Sequence, residues 1–583
     1  MKELRYLNRF FLKYKWRLLS GLIITAIATM FRVVVPSVIG DAVNAVQSKF
    51  DGKIDQATLE STLLKYILII LGSALLAGFF TFLMRQTIIV VSRYIEFDLK
   101  NVVFEQYERL SLSFYKKNRT GDLMSRISED VGKVRMYAGP ALMYSTTTVT
   151  LFIVAISYMV YTAPLLTLYA VAPLPILSIS IYKLSIAIHK RSTVVQQYLS
   201  KLTTFTQESF SGISVIKAYG IERRTHIDFE ELSNASKDKN IDLTKVQALF
   251  FPLMILLIGA SNLLVVYVGG NQFIDGKIDF GTIVEFLIYV NMLTWPVAIV
   301  GWVSSMVQQA EASQKRINEF LKEEPEIVNT ATQRSKVKGK IEFHEVNFTY
   351  PDTGIHALKN ISFRVNPGET LAIIGNTGSG KSTILEVISR LYDVDNGNYT
   401  VDTVAVKELH LEDLRNSIGY VPQDAFLFSD TIENNIKFGQ KDASREQVIS
   451  AATHAAVHKN IIGFTHGYDT ILGERGITLS GGQKQRVSIA RALIKDPQIL
   501  LLDDCLSAVD TETEEEILQN LANISKDKTT LIVSHRVSSA KNADNIIVLE
   551  EGKIIQQGTH NELVNIDGYY KELYHKQLLE KEM

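Results

Sequence analysis

The sequence has almost no cysteine: Cys505 is the only one in 583 residues. That excludes a disulfide framework and any Cys-rich metal site. It also lacks an excess of either charge, with 61 Lys+Arg against 62 Asp+Glu. A general nucleic-acid binder carries a basic surplus, so nucleic acid is not an expected partner. Glycine and proline are sparse (34 and 12), and no low-complexity tract occurs, which removes the disordered and fibrous classes. What the chain has in quantity is apolar surface. Hydrophobic types make up 46% of it and mean hydropathy is +0.10, a value few soluble domains reach. The length leaves room for three or four units. A membrane protein with a substantial soluble part remains.

The apolar residues are unevenly placed. Before about residue 310 there are six long apolar runs, roughly 18–40, 63–83, 142–161, 165–186, 249–270 and 280–307. Each approaches or exceeds the ~20 residues that cross ~30 Å of hydrocarbon. Beyond residue 340 none does. There, short β-branched runs (371–374, 499–502, 530–533) alternate with helical-period stretches, as in an α/β domain with a largely parallel sheet. The expected organisation is a six-span membrane domain over 1–321, a polar linker over 322–339 and an α/β domain over 340–583.

Positive charge sets the orientation. Six Lys/Arg precede the first span (Lys2, Arg5, Arg9, Lys13, Lys15, Arg17), and the 92–136 and 187–245 connections hold nine each. The other side has Lys49, Lys53 and Lys277. Both termini are therefore expected in the cytoplasm, with the chain integral to the plasma (inner) membrane. Ala26-Ile27-Ala28 resembles a cleavage site behind a basic segment, but the apolar run continues to Val35 and cleavage would leave five spans. Helical periodicity continues beyond the runs (Phe97, Val102, Phe104, Leu110; Val194, Leu199, Leu202, Phe205), so the spans are expected to project from the membrane.

The chemistry lies in the second half. After the strand 371–374 comes Gly375-Asn376-Thr377-Gly378-Ser379-Gly380-Lys381-Ser382-Thr383. This is G-x-x-x-x-G-K-[ST] between strand and helix, the context the motif requires. Its glycines let backbone N–H groups turn toward phosphate oxygens, and the helix start adds partial positive charge. Lys381 is expected on the β- and γ-phosphates of ATP, and the Ser382 hydroxyl on Mg²⁺. Ile499-Leu500-Leu501-Leu502-Asp503 is an apolar strand ending in a carboxylate, which suits a second magnesium ligand. Between them, Leu479-Ser480-Gly481-Gly482-Gln483 opens a helix.

With LSGGQ in place, residues 340–570 resemble the nucleotide-binding domain of an ABC transporter. The whole chain resembles an ABC exporter half-transporter, which implies that fold, ATP and Mg²⁺ as ligands, and ATP-driven translocation. The resemblance carries further roles. Tyr350, in Phe348-Thr349-Tyr350-Pro351, matches the aromatic that stacks on adenine; alone it reads as a strand-edge residue. Gln423 matches the glutamine that touches Mg²⁺ and relays to the membrane domain, and Ser507-Ala508-Val509-Asp510 matches the D-loop. His535 matches the switch histidine near the γ-phosphate. In this family each ATP lies between one chain's P-loop and the other chain's Ser480-Gly481-Gly482-Gln483 equivalent, so a second half-transporter is implied. Phe114-Tyr115 with 120–126, and 212–219, resemble the two coupling helices; Glu474-Arg475-Gly476 resembles the loop that senses the partner.

One residue departs from the pattern. After the Walker-B aspartate the family has Glu as general base, and here stands Asp504, a methylene shorter by about 1.5 Å. A base must approach within ~2.6–3.2 Å of its proton. Asp504 therefore looks like the weak site of a heterodimeric exporter, with ATP held and hydrolysis slowed. The alternatives are a homodimeric lipid flippase in which Asp504 is competent and, in a different class, an ATP-gated channel. Cargo is expected to be lipophilic or amphipathic: a drug-like molecule, a lipid or a peptide. Arg32 and Glu285 fall inside spans at similar expected depth and so could pair or face one cavity. Phe250, Phe251, Trp295 and Trp302 could line a pathway or form interfacial belts.

Overall fold

Apolar length shapes the N-terminal half. The computed structural model describes residues 2–473 and 476–582, and six of its helices are long and apolar enough to cross a membrane. They are α1 (Lys15–Phe50), α2 (Gln56–Arg109), α3 (Thr120–Thr162), α4 (Pro164–Ser211), α5 (Glu222–Ile274) and α6 (Phe280–Leu321). All outlast the ~20 residues a bilayer needs, as the periodicity beyond the runs predicts. The Asp55 side chain caps α2 by accepting from the Thr58 amide. Pro164 opens α4, where its missing N–H costs nothing. α1 runs unbroken through Ala26–Ala28.

Burial sorts these helices. Phe286, Tyr289 and Leu293, on one face of α6, are fully buried. α2 instead turns Leu64, Leu68, Leu71, Leu75, Phe79 and Phe82 outward. Water penalises such a face by about 25 cal/mol per Å², and hydrocarbon does not. Phe251, Trp295 and Trp302 are also exposed, and Phe250 is half-buried.

Small residues set the register of α6 on α1. A Cβ at Gly281 would sit 2.0 Å from the Gly40 carbonyl oxygen, and the Gly281 amide donates to Asn44 Oδ1 at 2.7 Å. Tyr289 donates to the Val33 carbonyl at 2.7 Å. This register overturns the expected pairing of Arg32 with Glu285. Glu285 is buried against Gly40, whereas Arg32 lies eight residues earlier on α1 and is exposed. At ~1.5 Å per residue the two are ~12 Å apart along the helix axis.

The chain folds as two units. One holds Met1–Glu108 and Gly121–Glu323; the other holds Arg109–Thr120 and Glu324–Met583. This division places 109–120 with the C-terminal residues rather than with the rest of the expected 1–321 segment. Its physical reason is the short helix Leu112–Lys117 between α2 and α3. Leu112 packs on the core of the C-terminal unit, Ser113 donates to Glu326, and the Ile327 amide donates to Ser111 Oγ at 3.0 Å. Between Leu321 and Ile341 no regular element forms. The stretch is still fastened: Arg334 pairs with Glu412 and Asp413 at 2.5 and 2.6 Å. The segment after Gly212 forms the helix Ile213–Tyr219, with Ile213, Val215 and Tyr219 exposed.

The C-terminal unit carries two sheets. β1 (Ile341–Thr349), β2 (His356–Val365), β4 (Asn396–Val401) and β5 (Val404–Ala405) form an antiparallel sheet in the order β2-β1-β4-β5. β3 (Thr370–Gly375), β6 (Ile418–Val421), β7 (Ile499–Asp503), β8 (Thr529–Val533), β9 (Asn545–Glu550) and β10 (Lys553–Gly558) form the second, ordered β10-β9-β3-β8-β7-β6. Only β10 pairs antiparallel in it. β7 is buried along its whole length, as a strand covered on both faces must be. Among the described residues of this unit, two large cores lie between the sheets and around the helix Gly481–Leu493, and a smaller one joins β3 and β9 to Val537, Leu563 and Tyr570.

Candidate functional site

The order β3-β8-β7-β6 brings the carboxyl ends of four neighbouring parallel strands to one edge, where open α/β sheets bind ligands. β3 delivers the loop 375–380. Gly375 and Gly380 have φ of 151° and 101°, and a Cβ there would meet the Leu549 and Ala357 carbonyl oxygens at 2.2 and 2.5 Å. Only glycine fits either place. Asn376, Thr377 and Gly378 are exposed at the loop's tip. Ser379 is buried, and its hydroxyl has no hydrogen-bond partner among the described residues. Lys381 starts the helix Lys381–Ile388, and its ammonium donates to the Gly375 and Asn376 carbonyls at 2.9 and 2.8 Å. Burial pushes this amine below the usual lysine value, against the pull of the Asp504 and Asp503 carboxylates.

β7 delivers Asp503, which accepts from the Ser382 hydroxyl at 2.8 Å. Burial pushes the Asp503 carboxyl up to about 6, with the Asp504 and Glu386 charges adding and the Ser382 bond and Lys381 opposing. Asp504 follows with φ of 42°, a left-handed conformation that Asp enters more readily than most residues. Its amide donates to the Val533 carbonyl at 3.0 Å, and its own carbonyl accepts from Ser507 Oγ at 2.9 Å. β8, paired with β7 through Asp503 and Val533, delivers His535 two residues on. Burial, with the Lys381 charge adding and Asp504 opposing, holds this imidazole below the usual histidine value. Gln423 stands two residues past the end of β6, exposed, on the strand next to β7.

Tyr350 follows β1. Its hydroxyl donates to Glu386 Oε2 and accepts from Thr383 Oγ1, both at 2.8 Å. The loop, Lys381, Asp503, Asp504 and His535 thus converge, with Tyr350 tied to the same helix. Ser480, Gly481, Gly482 and Gln483 do not join them. Ser480 and Gln483 form a capping box: the Gln483 amide donates to Ser480 Oγ at 3.3 Å and the Ser480 amide to Gln483 Oε1 at 3.0 Å. Gly482 lies against the Ala508 carbonyl. Among the described residues no hydrogen bond or ion pair links 480–483 to 375–383. Glu474 and Arg475 lie outside the described residues.

The arrangement suits a polyphosphate with a hard cation. An amine, glycine-turned amides and the spare Ser379 hydroxyl offer donors to anionic oxygens. Ser382 and Asp503 offer oxygen ligands of the kind Mg²⁺ takes, with phosphates and water completing its shell. No cluster of three or more His, Cys, Asp or Glu residues able to hold a metal occurs among the described residues, so the protein alone does not cage the ion.

Sequence reasoning missed Glu386, Tyr392, Tyr569 and Gln577. Tyr569 donates to Asn376 Oδ1 at 3.1 Å. The Gln577 amide donates to the His535 carbonyl at 2.9 Å and accepts from the Val537 amide at 2.8 Å. Only Glu386 had a local signal, its i+3 spacing from Thr383 on one helix.

Known proteins match this chain along its length. Residues 18–297 match the ABC transporter transmembrane region and residues 358–507 the ABC transporter family. The uncharacterized ABC transporter ATP-binding protein YknU of Bacillus subtilis (strain 168) is 34% identical over 100% of this chain and 99% of its own. The multidrug resistance-like ATP-binding protein MdlA of Escherichia coli (strain K12) is 34% identical over 100% and 97%. The ATP-dependent lipid A-core flippase of Syntrophus aciditrophicus (strain SB) is 35% identical over 83% and 80%. The solved structure of a bacterial Atm1-family ABC exporter with ATP bound superposes with a TM-score of 0.79 at 27% identity, covering 97% of this chain and 98% of that one.

Proposed function

The chain belongs to the ABC transporter family as a multi-pass, ATP-hydrolysing exporter subunit, and from that premise we propose that it moves a lipophilic or amphipathic solute outward as the weak-site half of a heterodimer. The cargo reading draws on relatives described as multidrug resistance-like and as a lipid A-core flippase. A drug-like molecule, a lipid or a peptide meets that description. The positive-charge asymmetry supports a plasma (inner) membrane location with both termini in the cytoplasm.

The observation that carries the site reading is the convergence of the Gly375–Gly380 loop, Lys381, Asp503 and His535 at one sheet edge. Tyr350 stacks on adenine. The amides of 375–383 and the Lys381 ammonium bind the β- and γ-phosphates. Mg²⁺, when bound, neutralises phosphate charge, and Ser382, Asp503 and Gln423 are the residues that hold it. His535 donates a hydrogen bond toward the γ-phosphate. Asp504 holds charge near the attacking water without the reach of a glutamate, so nucleotide stays bound with slow turnover. Ser480 to Gln483, which cap their own helix away from this P-loop, present their N-terminal amides to the partner's nucleotide.

Lys381→Ala tests the site. Losing the amine that faces the phosphates should weaken ATP binding to the full-length chain by at least ~30-fold, the equivalent of one or two charge-assisted hydrogen bonds. Undiminished binding of a fluorescent ATP analogue would reject the assignment.

A further inference from the structure

The segment joining α2 to α3 reaches the base end of the candidate site. Lys116, on the helix Leu112–Lys117, places its ammonium 4.9 Å from the Tyr350 ring centroid and 5.0 Å from that of Tyr392. The same ammonium lies 3.8 Å from Glu386 Oε1. Glu386 in turn accepts from the Tyr350 hydroxyl. Phe348 and Tyr392 meet the Tyr350 ring at 79° and 87°, with centroids 5.0 and 5.5 Å away. Tyr350 is thereby held at its hydroxyl, along its edges and by a cation over the ring.

We propose that Lys116 is a positioning residue for the nucleotide base, contributed by the segment between the second and third spans and acting through Tyr350. The proposal rests on the reading of Tyr350 as the adenine platform. A flat ring stacks well only when its plane is fixed, and here Thr383, Glu386 and Lys116 fix it. A cation near one ring also draws on its π-density, which strengthens stacking with an electron-rich purine. Lys116 keeps its charge for this task. Burial alone would lower its pKa, but the Tyr392 hydroxyl and the Glu386 carboxylate outweigh that and hold it above the usual lysine value.

The test separates base recognition from general damage. Full-length chain in lipid nanodiscs is titrated with ATP and, in parallel, with inorganic tripolyphosphate, which has no base. Lys116→Ala should weaken ATP binding ~3–10-fold, the scale of a partly desolvated cation–π contact, and leave tripolyphosphate unchanged. Lys116→Arg, which keeps both the cation and the ion pair, should restore ATP binding. Equal loss of both ligands, or no loss of ATP, would overturn the proposal. Tyr350→Ala serves as the reference. If it weakens ATP while Lys116→Ala does not, Lys116 has no such role. If Tyr350→Ala itself leaves ATP binding intact, the platform reading falls instead.

Discussion

Asp503 is held where its charge is needed and its stability suffers. Its ordinary carboxyl value of 3.8 is raised to about 6, chiefly by burial. The folded protein therefore favours the acid form: stability from this residue is complete below about pH 4 and lost as pH rises through about 6. Asp503→Asn removes that penalty. It should raise the melting temperature at pH 7.5 without nucleotide, and the gain should shrink toward pH 4. A melting temperature unchanged or lowered at pH 7.5 would show that the carboxylate is not strained by burial. At this scale the sequence was most informative where backbone geometry dictates identity. That Gly375, Gly380, Lys381 and Ser382 share one strand-to-helix turn was legible because such a glycine-rich turn fixes their spacing. Lys116 and Gln577 were not legible, because each reaches the site from an element whose position depends on tertiary packing; Glu386 was signalled only by its i+3 spacing from Thr383.

The contact of α1 with α6 shows what small residues do between spans. Lipid supplies no hydrophobic drive for helix association, so close backbone approach and side-chain hydrogen bonds must hold the pair. Gly281 permits the approach and Asn44 and Tyr289 supply the bonds. Gly281→Ala should destabilise the protein by roughly 1–3 kcal/mol, the usual cost of overpacking, since the atom it meets is backbone. Gly72→Ala, with nothing within 4 Å of its added Cβ, should be neutral or slightly stabilising. Thermal unfolding in detergent compares the two, and equal melting temperatures would contradict the proposed fit. Apolar runs foretold six spans, yet they could not foretell register. Depth counted from the two ends of different helices paired Arg32 with Glu285; the glycine contact places Glu285 beside Gly40 instead. The boundary near 321 similarly did not foretell 109–120, whose Leu112 and Ser113 find their partners within the C-terminal unit.

At the scale of the whole molecule, the chain presents a nucleotide loop in one core and a signature helix in another, with each able to serve a different ATP. Family membership follows from matches along the full length, and the weak-site role rests on Asp504. These parts make opposite demands on two substitutions. On the proposed reading, in a transporter purified with its partner chain, Ser480→Arg would set bulk and positive charge against the partner's nucleotide, while Asp504→Asn would remove a carboxylate that contributes little base catalysis. The most direct measurement is steady-state ATPase turnover of these two variants side by side. The account predicts near-abolition by Ser480→Arg and no more than a ~2–3-fold change with Asp504→Asn, whereas a working general base is worth ~10²–10⁴-fold. A fall of that size from Asp504→Asn would contradict the heterodimer reading and make Asp504 the base of a homodimer.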